Sequence, residues 1–158
     1  MKYYVLVMAT IIVAVIVGAF LLLGSHGSAS KNQTVASGCA SHQFTVGSSG
    51  SCVKDIQTLV NFIETDGLTM CPFTGSQALP INGSFSVSTQ NQVAVVQTWA
   101  NCYNRQEGTP TTISTDGVVD SSTWSDLCTY GYQYPKQSNS GISPFLKASI
   151  TAGKNAGC

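Results

Sequence analysis

Ile81-Asn82-Gly83-Ser84-Phe85-Ser86-Val87-Ser88-Thr89 aligns without a gap on Thr115-Asp116-Gly117-Val118-Val119-Asp120-Ser121-Ser122-Thr123, and beyond it Val93 matches Leu127. Each copy has Asn or Asp, then Gly, an apolar residue two further on, and Ser-Thr opening a helix. An Asx side chain can bond the backbone ahead of it, and Gly supplies the positive φ of a tight turn. The apolar residue then plugs a core and a hydroxyl caps the next helix. The alternating acidic ligands and terminal Glu of a Ca²⁺ loop are missing, so the repeat is read as a structural device.

Helical periods flank the two copies. Val53, Ile56, Val60 and Ile63 describe one helix face, widened by Leu59 and Phe62, with Ser51 as N-cap and Asp66-Gly67 as stop. A second helix is expected from Thr89, whose Thr89-Gln90-Asn91-Gln92 has the form of a capping box. Val93, Val96, Ala100 and Tyr103 continue it, with Trp99 alongside. A short third helix is expected from Ser122 or Thr123, burying Trp124, Leu127 and Cys128. The core is expected to comprise Val53, Ile56, Val60, Phe85, Val93, Val96, Val119 and Leu127.

The chain has 158 residues, no net charge, 9% charged side chains and 43% apolar ones. Ordinary soluble domains carry roughly 25% charged residues. The seven basic residues are scattered, which disfavours nucleic acid and anionic membrane surfaces as partners. Tyr3 to Leu23 has no charge and matches the ~20 residues that cross a bilayer, so residues 1–24 read as a signal-anchor helix, with a cleavable signal peptide as the alternative. Residues 25–46 read as linker, 47–130 as the folded domain, and 131–158 as a C-terminal extension packing on it.

All six cysteines follow the apolar segment, in keeping with export to an oxidising compartment. No C-x-x-C pair exists and both histidines precede the expected fold, so neither zinc nor any other cofactor is implied. Six cysteines allow fifteen pairings. Cys52–Cys128 ranks first because these residues open the first helix and close the third. Cys71–Cys102 and Cys39–Cys158 complete that set, and Cys52–Cys102 is the main competitor.

In order and spacing, three motifs resemble the small three-helix peptidoglycan-binding domain that accompanies many cell-wall hydrolases. They are Gly47 and Gly50 followed by Val53, Ile56 and Gln57; Asn82, Gly83, Phe85, Thr89, Val93, Val96 and Gln97; and Asp116-Gly117-Val118-Val119, Thr123-Trp124 and Leu127. The match runs from Gly47 to Cys128. Ser86 and Asp120 stand where that family usually has Gly, and Val96 replaces an aromatic. The resemblance implies a mainly α, compact trio of helices that binds wall polymer while catalysis resides in a separate domain, and the six cysteines add the expectation that this trio is disulfide-stapled.

No catalytic constellation is evident. His42 near Cys39 suggests a Cys–His pair only if that cysteine is free, and the acids do not suggest two carboxylates facing one glycosidic bond. A ligand face can be composed from aromatics and amides: Asn82, Ser84, Asn101, Tyr103, Asn104, Tyr130 and Tyr132 are the candidates. Trp99 and Trp124 read as core. The tyrosines after Cys128 suggest a short strand or a loop over the helices. The functional expectation is a non-catalytic, membrane-anchored module for peptidoglycan or another wall polymer. The alternatives are an interaction protein that uses the same scaffold to bind another protein, and an accessory subunit of a wall hydrolase.

Overall fold

Val53, Ile56, Val60 and Ile63 recur at helical spacing because they form the buried face of α1, Ser51–Asp66. The computed structural model describes residues 38–66, 71–73, 77–109, 111–137 and 143–158, all within one unit, Val35–Cys158. The expected membrane anchor, and the linker as far as residue 37, lie outside the described residues. No helix among the described residues is long and apolar enough to cross a membrane.

Three further helices follow: α2, Val87–Gln106; α3, Ser121–Cys128; and α4, Pro144–Ala156. The described residues include no strand, and the architecture is mainly α, as expected. All eight expected core residues are buried, together with Phe44, Leu59, Ile63, Trp99 and Trp124.

The helix starts differ from the expected ones by a physical rule. Helix α2 begins at Val87, with Ser86 as N-cap accepting from the Thr89 N–H at 3.3 Å. Helix α3 begins at Ser121, capped by Asp120, which accepts from the Thr123 N–H at 2.8 Å. Thr89 and Thr123 are therefore third-position residues, not caps. Their hydroxyls turn back to the carbonyls of Ser84 and Val118, at 3.5 and 3.2 Å. Ser86 and Asp120, the departures from the family's Gly, are the caps themselves.

Residues 38–46, assigned to the linker, instead contribute to the fold. Phe44 is buried and exchanges both backbone hydrogen bonds with Val119, at 3.0 Å each. The Gly47 N–H donates to the Phe85 carbonyl, and the Phe85 N–H to Ser48, each at 2.9 Å. One extended strap thereby pins the apolar plugs of both turn copies.

The tyrosine segment after Cys128 is helical, and neither a strand nor a loop. Thr129–Gln133 forms a π turn leading into a last helical turn, Tyr134–Gln137. The Tyr134 N–H donates to Thr129. Pro135 has no N–H to donate and would crowd the residue-131 carbonyl of a regular α-helix, so the wider turn accommodates it. The Gly131 carbonyl then accepts from Ser149 Oγ of α4. A Cβ at Gly131 would stand 2.8 Å from Leu59 Cδ2, so a larger residue there would require the Leu59 side chain on α1 to shift.

Helix α4 anchors the extension. Ser143 caps its start and Pro144 follows. At its end Gly157 has φ 92°, the Gly157 N–H donates to Lys154 at 3.3 Å, and the Cys158 N–H donates to Gly153 at 2.8 Å. This double closure is a Schellman turn, and it sets the backbone at Cys158 for its disulfide.

The disulfides are Cys39–Cys52, Cys71–Cys102 and Cys128–Cys158. Only Cys71–Cys102 agrees with the expected set. Cys52–Cys128 and Cys39–Cys158 are both replaced, as is the competitor Cys52–Cys102. The strap brings Cys39 to the start of α1, and α4 returns Cys158 to the end of α3.

Candidate functional site

The two helix-borne glutamines decide what the turn residues are free to do. Gln57 is fully buried on α1. Its Oε1 accepts from the Gly83 N–H at 2.9 Å, and its Nε2 donates to Asn82 Oδ1 at 3.1 Å and to the Ser84 carbonyl at 3.0 Å. Gln97 on α2 accepts from Gly117 N–H at 2.9 Å and donates to the Val118 carbonyl and Thr123 Oγ1 at 2.8 and 2.9 Å. One turn further along each helix sits an asparagine with the same task. Asn61 exchanges two hydrogen bonds with the Leu79 backbone, and Asn101 two with the Ile113 backbone, all between 2.7 and 2.9 Å.

The candidate ligand residues consequently separate. Asn101 is committed to the loop at Ile113. Asn82 Oδ1 also accepts from the Ser84 N–H at 2.9 Å, an Asx turn. The Asn82 and Ser84 side chains lie on the surface. Tyr103, Asn104 and Tyr130 are brought together, but inside: Tyr130 Oη donates to Asn104 Oδ1, and all three residues are buried. Tyr132 packs its ring against Gly153, where a Cβ would meet it at 2.6 Å.

Around Tyr103 an aromatic column runs through the fold. Trp99 stacks on Phe73 (centroids 5.2 Å apart) and on Tyr103 (5.4 Å), and meets Tyr130 edge-on at 5.0 Å. Tyr134 stacks on Tyr130 at 5.7 Å and is partly exposed. Burial, reinforced by Tyr134 and Glu107, pushes the Tyr103 phenol up to about 12, and burial raises Tyr130 as well. Burial also pushes Asp126 up to about 6, a rise the Asn104 amide partly offsets. Asp126 Oδ2, Asn104 Nδ2 and the indole nitrogens of Trp99 and Trp124 are buried without a well-formed hydrogen bond.

The outer side of this column opens into a groove of about 410 Å³ lined by Cys71, Pro72, Phe73, Ala94, Val95, Thr98, Trp99 and Cys102. No lining residue carries a charge. The Cys71–Cys102 disulfide ties α2 to the segment holding Phe73. Ala94 and Val95 were not among the candidate residues, although a signal for them existed. Val93-Ala94-Val95-Val96 is an unbroken apolar run, and a helix can bury only part of such a run on one face.

Cys39 is oxidised and has no thiol for His42 to activate, and His42 contacts Phe44 edge-on at 6.5 Å. Among the described residues no group of three or more His, Cys, Asp or Glu could hold a metal. No family model matches the chain, and no curated protein or solved structure matches it either.

Proposed function

We propose that the chain is a non-catalytic binding module for peptidoglycan or a related neutral wall polymer, displayed outside a membrane by its N-terminal apolar segment. One observation carries the reading: the uncharged, aromatic-walled groove of Phe73, Val95, Thr98 and Trp99 beside a disulfide. Sugar rings and short wall peptides present apolar faces with neutral polar edges, which such walls accommodate. The three disulfides favour an oxidising compartment. The motif residues behind the family resemblance make the scaffold, so the ligand falls to the groove rather than to the turns.

The test is co-sedimentation of the full-length protein, in detergent, with insoluble peptidoglycan. Retention in the pellet, lost on Val95→Lys at the groove wall and changed little by salt, is the expected result. Equal amounts left soluble with and without wall material reject the proposal. The exposed Val87 and Phe145 support a second reading, in which the scaffold binds another protein or a wall hydrolase. That reading gains if the protein ignores the wall yet is retained by a purified hydrolase.

A further inference from the structure

We propose that Asn82 is an acceptor for an N-linked glycan. Asn82-Gly83-Ser84 is an N-x-S sequon, the pattern that an oligosaccharyltransferase modifies on exported chains. The sequence alone makes this a common pattern, and the geometry adds the argument. The residue lies on an exposed turn. Its Oδ1 is held by Gln57 Nε2 at 3.1 Å and by the Ser84 N–H at 2.9 Å, so the amide plane is fixed by its oxygen. A glycan joins the other atom, Nδ2, and leaves both of these hydrogen bonds in place.

The chemistry balances with a pyrophosphate-linked oligosaccharide lipid as donor. Asn82 Nδ2 displaces the pyrophosphate at the sugar C1: an N–C bond forms and the C–O bond breaks. The bonding pair leaves on the lipid pyrophosphate, and Nδ2 gives up one of its two protons. Nothing is oxidised or reduced. The second copy of the turn, Asp116-Gly117-Val118, has the same shape but no amide nitrogen to modify. A glycan on Asn82 leaves the proposed ligand groove untouched, since no residue of that turn lines it.

The proposal rests on the exported placement, and the experiment reads that placement separately. The full chain is translated with microsomes that carry an oligosaccharyltransferase, and only the protease-protected fraction is scored. Asn32-Gln33-Thr34 is a second sequon, so the background is Asn32→Gln. The expected result is one glycan, released by an N-glycosidase that leaves Asp at position 82. It is retained in Ser84→Thr and absent from Ser84→Ala. The Ser84 partners in the turn are its backbone N–H and carbonyl, so Ser84→Ala removes the sequon while preserving the Asx turn. An unmodified Asn82 in the protected fraction overturns the proposal, as does a glycan that persists in Ser84→Ala. Failure to sediment with peptidoglycan bears on the groove alone.

Discussion

Gln57 Oε1 accepts the Gly83 N–H at 2.9 Å across the interface between α1 and the first turn copy, and Gln97 repeats the bond to Gly117 at the same distance. Both glycines have positive φ, 75° and 74°, and both are buried. A buried N–H in a tight turn needs a partner, and a helix-borne amide provides one that also donates to the next carbonyl. The repeat is thus a unit of helix plus turn, with a glutamine joining its two halves. It positions Phe85 and Val119 as plugs and sets the directions of α2 and α3.

Replacing either glutamine by alanine is therefore expected to destabilise the domain by about 2–4 kcal/mol. At least three hydrogen bonds are lost in each case and the glycine N–H is left buried without a partner. Gln57 and Gln97 are 0% and 1% exposed, so water does not readily replace the missing amide. Urea denaturation of each variant measures the cost, and a loss below about 0.5 kcal/mol rules out this role for the amide.

The same bond protects the turns chemically. In Asn82-Gly83 and Asp116-Gly117 the glycine nitrogen is the nucleophile that would close a succinimide on the preceding side chain. With that N–H donated to a buried carbonyl, the nitrogen is turned away from attack. Folded protein incubated at neutral pH is expected to accumulate less isoaspartate at residues 82 and 116 than unfolded protein or Gln57→Ala and Gln97→Ala. Peptide mapping reads the difference, and equal rates in folded and unfolded chains count against the protection.

The two turns were legible in the sequence because a turn, its plug and the helix period that follows are all local patterns. Where several local candidates compete, the pattern stops short. Ser86 or Thr89, and Asp120 or Thr123, can each cap a helix, and the choice depends on whether the threonine hydroxyl finds a carbonyl behind it. Asn101 looked like a surface amide because its partner is loop backbone at Ile113, beyond the helix. Ser143-Pro144 and Gly157 are start and stop signals for α4, but the place where that helix docks depends on α1, on the Gly131 carbonyl and on Cys128, all distant in sequence. Lacking an N–H, Pro135 leaves the Gly131 carbonyl open to Ser149. Relations of that kind are tertiary.

Two carboxylates make stability depend on pH. Burial raises Asp55 and Asp126 from the ordinary 3.8 to about 6. Between those values the folded chain binds more protons than the unfolded one, so stability falls as pH rises from about 4 through about 6. Asp120 acts in the opposite sense. The Thr123 N–H and the Ser122 hydroxyl lower its pKa, so its contribution is lost as pH falls below the ordinary value. Asp126→Asn is expected to raise stability at pH 7.5 relative to the parent and to leave it nearly unchanged at pH 4. Denaturant melts at the two pH values test this, and an equal effect at both rejects the assignment.

The disulfides give the sharpest test of the topology. Cys39–Cys52 closes a separation of 13 residues, Cys71–Cys102 one of 31 and Cys128–Cys158 one of 30. The first ties the strap to α1, the second fixes the groove wall on α2, and the third locks α4 behind α3. Loop entropy assigns about 3 kcal/mol to the shortest closure and about 3.7 kcal/mol to each of the longer ones. Paired Cys→Ala substitution at 71 and 102 should therefore cost slightly more stability than the same change at 39 and 52. It should also loosen Phe73 from Trp99, which near-ultraviolet circular dichroism reports. The connectivity itself comes from non-reducing peptide mapping. A peptide joining Cys39 to Cys52 and another joining Cys128 to Cys158 are expected, because strap and C-terminal helix each return the chain to the end of a helix. A peptide joining Cys52 to Cys128 would mean that neither segment packs as described.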